Sequence, residues 1–235
     1  MTSPSRLEID YRSAHWVHRL LAEINRKPSL AAAHAQWASP QPGLADLAFS
    51  IDTRIGNLRE IVRLTDENLH AIGKELEETT NLDEHIAGGY AYRVRDDAAL
   101  RRALIGFNAF IAEARSLYEN LARFYRVFLN HYFGEQVSEK AAYEAIAALR
   151  SSPQWATELQ LLRHDILHYR SPWLRFDVGA SSPRFDAVLM LDWRPGATGP
   201  DAEVPMSTLR DFRTHIVWAA TALVDALIAR VVVWP

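Results

Sequence analysis

The stretch Leu100-Arg-Arg-Ala-Leu-Ile-Gly-Phe-Asn-Ala-Phe-Ile-Ala-Glu-Ala-Arg-Ser-Leu-Tyr-Glu-Asn-Leu-Ala-Arg-Phe-Tyr-Arg-Val-Phe-Leu-Asn-His-Tyr132 decides the fold of this chain. Leu100, Leu104, Phe107, Ile111, Ala114, Tyr118, Leu121, Tyr125, Phe128 and Tyr132 step by three or four residues, and Phe110, Leu117 and Phe124 widen the stripe. That period lays one broad apolar face along a single helix. Counted from Asp97 it spans about 36 residues, or about 54 Å at 1.5 Å per residue. Such a helix cannot bury its stripe on itself. Upstream, Leu44, Leu47, Ile51, Ile55, Leu58, Val62, Thr65, Leu69, Ile72 and Leu76 repeat the pattern. Two stripes of matched length predict an antiparallel pair, and the predicted class is mainly α: a bundle of long antiparallel helices.

Outward from this pair the signals change. The connection from Thr79 to Asp96 is long, with Gly88-Gly89 inside it and Arg93, Arg95, Arg101 and Arg102 close by. Those arginines fit either a phosphate-facing patch or a solvated helix end. Toward the N-terminus, Leu7 to Asn25 has helical spacing, with Leu7, Tyr11, Ala14, Val17, Leu21 and Ile24 on one side, before Pro28. Ser39-Pro-Gln-Pro-Gly43 breaks the chain, so residues 1–43 are expected to form a helical arm and Pro-rich linker, and residues 44–235 the bundle. On the C-terminal side, Ser138 to Leu149 and Ser152 to about Tyr169 each carry a Ser at the capping position. The period then becomes two. Leu174, Phe176 and Val178 alternate with Trp173, Arg175 and Asp177, and Phe185 to Trp193 is strand-like. A β-hairpin at about 173–193 is expected before a last helix capped by Ser207.

Composition narrows the chemistry. The 235 residues carry a formal charge of −3, and no Cys. A disulfide framework, Cys-based zinc sites and Cys nucleophiles are excluded. The near-neutral balance argues against a general polyanion binder, so any nucleic-acid contact must come from a local patch. The first residues lack a basic start followed by an apolar run. The apolar run from Ile216 to Trp234 contains Asp225 and Arg230, which fits a core helix better than a membrane span. A soluble, cytoplasmic protein with no membrane contact is expected.

The chemistry-bearing stretch is Leu161-Leu-Arg-His-Asp-Ile-Leu-His-Tyr-Arg170. Trp155, Leu159, Leu162, Ile166 and Tyr169 form its core stripe, and His164 and His168 fall on the opposite side with Leu161 and Leu167 beside them. A second apolar face of this kind predicts a contact surface, read as a homodimer interface. His15 with His18, and His164 with His168, each offer two metal ligands on one face, but no third ligand is evident, so no metal and no cofactor are expected.

The same stretch resembles the signature of the HEPN superfamily: Arg, then Asn, Asp or His, then three residues, then His. Arg163, His164 and His168 occupy those positions, with His second instead of the commoner Asn. Arg-x4-His also occurs at Arg126/His131 and Arg210/His215. Arg163/His168 is preferred because it ends a helix and is followed by one long last helix. The resemblance implies an RNA-binding helical bundle, a metal-independent endoribonuclease of defence or toxin–antitoxin type, acting as a symmetric dimer. It also implies an antitoxin or nucleotidyltransferase-type partner protein. His168 would move the proton and Arg163 would stabilise the phosphoryl charge, with His164 and Arg170 holding substrate. Two other functions remain open: a non-catalytic helical dimer binding a nucleotide or protein, and a metal-dependent hydrolase using His164 and His168.

Overall fold

A computed structural model describes residues 15–34, 43–82, 84, 93–150, 153–168, 172–178, 185–191 and 203–235. The two stripes form α3 (Leu44–Glu77) and α4 (Asp97–Phe133), the longest helices and the largest interface in the molecule. Most of the expected stripe is buried on both helices, but Ile55, Leu100, Leu104 and Tyr125 are only partly buried, and Ala48, Ala99, Ala103, Ala122 and Leu129 are buried beside it. Ends are set by local chemistry. The Gly43 N–H donates to Asp46 at 3.0 Å, and Asp96 accepts from the Ala99 N–H at 2.9 Å. Gly134 closes α4 at φ 66°, a left-handed value that favours glycine. Glu75 near the end of α3 accepts from the Arg95 and Asp96 N–H groups, tying that end to the start of α4.

Cross-links along the seam show that the pair is antiparallel. Asn120 donates to Ser50 at 2.8 Å, Asn57 to Glu113 at 2.8 Å, and Arg102 to Asn68 at 2.9 Å. In the middle, Thr65 is 3 % exposed and its hydroxyl donates to the Ile61 carbonyl at 2.7 Å. Gly106 faces it. A Cβ there would lie well under 3.0 Å from the Thr65 hydroxyl oxygen.

The remaining elements dock on this pair. The N-terminal residues enter the same core through Val17, Leu20, Ile24 and Leu30. Of the expected inner face, Val17 and Ile24 are buried; in α1 (His18–Asn25) Leu20 is buried beside them and Leu21 is partly buried against the core. The expected first turns at 7–14 lie outside the described residues. After the short α2 (Ala31–His34), the chain reaches α3. Lys27 donates to the Val232 and Trp234 carbonyls at 2.9 and 2.8 Å, placing a cation at a helix C-terminus.

Downstream are α5 (Glu139–Ala148), α6 (Gln154–His168), three strands and α7 (Met206–Val233). Ser138 caps α5 by accepting from the Ala141 N–H at 3.2 Å. The strands are β1 (Trp173–Val178), β2 (Phe185–Met190) and β3 (Glu203–Pro205), antiparallel in the order β1-β2-β3. Trp173 pairs with Met190 and Met190 with Glu203. The expected hairpin is therefore two strands of a three-stranded sheet. Its third strand is too short to show an alternation. Ser207 is not the cap of the last helix: α7 leaves β3 directly through Pro205, with no side-chain cap. By length and composition α7 alone among the described helices could cross a membrane. Here it packs on α1, α3, α4 and the sheet, and Asp225 pairs with Arg19 on α1 at 3.0 Å. The architecture is a mainly α bundle with a small antiparallel sheet before the last helix.

Gly106→Ala should destabilise the protein by about 1–3 kcal/mol, the usual cost of overpacking. Thermal unfolding should register about 2–4 °C per kcal/mol for a chain of this size. Thr65→Ala in the same chain removes the obstacle, so the double variant should lose less than the two single losses together.

Candidate functional site

Helix α6 packs on α4 through Trp155, Ala156, Leu159, Leu162 and Ile166, all buried. Trp155 meets Tyr118 edge-on at 5.2 Å and stacks on His215 of α7 at 6.2 Å. This inner face matches the expected stripe as far as Ile166; Tyr169 lies outside the described residues.

The outer face carries the motif. At 100° per residue, Thr157, Gln160, Leu161, His164 and His168 fall within about 60° of one line along the helix. Leu161 is 60 % exposed and His164 is exposed, as a second face requires. Arg163 is half-buried and points to a different side, about 140° from His168 around a regular helix. The backbone of His168 closes α6, while its side chain and all of Arg170 lie outside the described residues. The structure thus places Arg163, His164 and the His168 backbone on one helix, without bringing Arg163 and His168 onto one face of it.

The outer face of α6 is also one wall of a groove. Thr157 and Gln160 line a cavity of about 750 Å³ between α4, α5 and α6. Arg115 lies in its depth, with a side chain 12 % exposed. Its guanidinium sits 5.0 Å from the Tyr143 ring centre and 5.3 Å from that of Tyr118. Glu119 lies 3.0 Å from Nε and supplies charge without hydrogen-bond alignment. Nε and Nη1 are buried with no hydrogen-bond partner among the described residues. The Tyr118 hydroxyl donates to the Tyr143 carbonyl at 2.8 Å. Burial pushes the Tyr118 phenol up to about 12, against the opposing pull of Arg115. Burial raises Tyr143 as well.

A second pocket of about 270 Å³ adjoins this groove and shares Glu139 and Tyr143 with it. Its other walls include Asn120, Arg123 and Arg126. Apart from Arg126, which opens the Arg126/His131 pair, no sequence motif marks these residues. Arg123 and Arg126 fall on the side of α4 away from its apolar stripe, where an arginine carries no distinguishing signal.

The histidines of the rival Arg-x4-His pairs have structural duties. His131 bonds the Ala33 carbonyl through Nε2 at 2.6 Å. His215 accepts from Arg150 at Nδ1, at 3.1 Å. In the arginine cluster near the start of α4, Arg101 pairs with Asp97 at 2.7 Å and Arg102 with Asn68. His15 and His18 meet edge-on at 4.8 Å. Among the described residues no three His, Asp or Glu side chains converge. Comparison with protein-family models, curated proteins and solved structures gives no match.

Tyr118 sets a pH dependence. Its folded pKa lies above the ordinary 10. The stabilisation tied to its protonated form is full below pH 10 and falls as pH rises to about 12. Denaturant titrations of Tyr118→Phe should therefore show a shallower stability loss across that alkaline range than wild type, from a lower value at pH 7.

Proposed function

We propose that this protein is an HEPN-like RNA-binding protein and a metal-independent endoribonuclease of defence or toxin–antitoxin type. The observation that carries this reading is the outer face of α6. It holds His164, leaves Leu161 uncovered, and continues the wall of a groove with a guanidinium in its depth. Arg163 and His164 are thus spared from the core, and a long last helix follows the motif and the sheet, as the resemblance requires.

In this mechanism an imidazole at His168 takes the proton of the 2′-hydroxyl or gives one to the leaving oxygen, since it titrates near working pH. The 2′-oxygen attacks the adjacent phosphorus, the bond to the 5′-oxygen breaks, and a 2′,3′-cyclic phosphate results. Arg163 stabilises the charge on the phosphorus oxygens. His164 and Arg170 position the phosphate. Because Arg163 and His168 diverge on a regular helix, one phosphate reaches both only across two facing copies of α6 or at an unwound last turn. A homodimer meeting at Leu161, His164, Leu167 and His168 meets that requirement. The same divergence favours a second reading, a non-catalytic dimer that binds a nucleotide, an antitoxin or a nucleotidyltransferase-type protein. A metal-dependent hydrolase using His164 and His168 is a third.

Cleavage of mixed single-stranded RNA separates them. His168→Ala should lower the rate by about 10²–10⁴, the usual contribution of acid–base catalysis. Arg163→Ala should cost a comparable factor through lost charge stabilisation. Activity should survive EDTA. Equal cleavage by His168→Ala and wild type would overturn the assignment, and abolition by EDTA would favour the metal reading.

The dimer has its own check. Light scattering at micromolar concentration should give twice 26.6 kDa. Leu161→Glu should shift the protein toward monomer; a wild-type monomer would remove the interface.

A further inference from the structure

Helix α4 carries five arginines, and three have partners. Arg101 bonds Asp97, Arg102 bonds Asn68, and Arg115 pairs with Glu119. Arg123 and Arg126 make no hydrogen bond or ion pair among the described residues. They are three residues apart, so they are neighbours on the helix surface and repel one another. Both line the same concave pocket of about 270 Å³, with Asn120, Tyr143 and the first turn of α5 around them. Two adjacent guanidinium groups at a concavity match the oxygens of a phosphate, which they hold through charged, paired hydrogen bonds.

The acidic groups of the pocket leave that charge largely open. Glu119 is committed to Arg115. Glu139 is exposed at the first position of α5, beside the positive end of that helix. It opposes the arginines and offers them no bond. The volume is near the lower bound for ligand sites and suits one phosphate and its immediate surroundings.

We infer that Arg123 and Arg126 form a phosphate-binding subsite at the α4–α5 seam. The shared chemistry is a phosphate group, presented by a single-stranded RNA backbone or by a free nucleotide. Its use by an RNA strand rests on the function proposed above. The pocket adjoins the 750 Å³ groove, and Glu139 and Tyr143 line both. That groove reaches Gln160, and His164 is the next residue along the same face, one turn on. A strand held at Arg123 and Arg126 is thereby led along the groove toward the histidine face of α6.

Binding of a labelled single-stranded oligoribonucleotide, read by fluorescence anisotropy at several salt concentrations, tests this beside calorimetry with adenosine monophosphate and inorganic phosphate. The proteins are wild type, Arg123→Ala/Arg126→Ala, Arg123→Lys/Arg126→Lys, Glu139→Gln and Arg59→Ala, the last an exposed arginine on α3 outside the pocket. Circular dichroism melting checks that each is folded. The double alanine variant should weaken RNA binding tenfold or more and flatten the logarithmic salt dependence by about 0.7 for each phosphate it no longer neutralises. The double lysine variant should recover part of the affinity, Glu139→Gln should tighten it, and Arg59→Ala should stay within about twofold, as one diffuse surface charge predicts. RNA binding that is unchanged in the double alanine variant would overturn the subsite and leave the RNA reading standing. Phosphate or nucleotide binding that depends on both arginines, with no RNA binding by wild type, would keep the subsite and overturn the RNA reading.

Discussion

The seam between α3 and α4 is the constraint on which the rest of the molecule depends. Each helix exposes an apolar stripe too long to cover itself, and only the other, running antiparallel, matches its length. At the centre the backbones come close enough that Gly106 accommodates the Thr65 side chain. Thr65 tolerates burial because its hydroxyl is satisfied by its own helix. The polar links at Ser50–Asn120, Asn57–Glu113 and Asn68–Arg102 then fix the register along the pair. The N-terminal turn His15–Val17, α2, α7 and the α5–α6 segment pack onto this frame, and α1 lies on α7.

The placement of the candidate site follows from how little α6 must give to the core. One face of that helix, Trp155 to Ile166, meets α4. The face carrying Gln160 and His164 is released from packing. Because α5 folds back along the far part of α4, a groove is left between the three helices, with Arg115 set against two neighbouring tyrosine rings in its depth. Such a buried guanidinium, stacked and incompletely hydrogen-bonded, keeps a fixed positive charge in a partly desolvated place, where electrostatic attraction is least screened. Exposed Arg123 and half-buried Arg126 add positive charge further along α4, at its seam with α5.

Much of the frame was legible in the sequence, because it rests on long periodic stripes. Ten positions on each long helix are enough to fix a face, and Ser138 announced a start that its hydrogen bond to Ala141 realises. Short or tertiary features were not legible. The strand Glu203–Pro205 is three residues long, below the length at which alternation carries a signal. Ser207 looks like a cap, yet Pro205 with its extended ψ feeds the helix one residue before it. On the short α1, Leu20 is buried beside the expected Val17 and Ile24, and Leu21 only flanks the core, because so short a helix carries too few apolar positions to fix its rotation from the period. For the site, the outward position of His164 followed from the helical wheel of α6. The groove did not, because it depends on the angle at which α5 returns across α4. Arg115, Tyr118, Arg123 and Arg126 sit on the long helix α4 and Tyr143 on α5, and no single motif joins them.

We propose that the uncovered face of α6 and the adjoining α4–α5 seam together form a surface that receives RNA. Hydrogen–deuterium exchange of the full chain, with and without a single-stranded oligoribonucleotide, tests this most directly. The account predicts slowed exchange in peptides covering residues 154–168 and 119–143, with the central α3–α4 seam around Thr65 and Gly106 unchanged. Slowed exchange confined to α7, or none anywhere at saturating RNA, would contradict it.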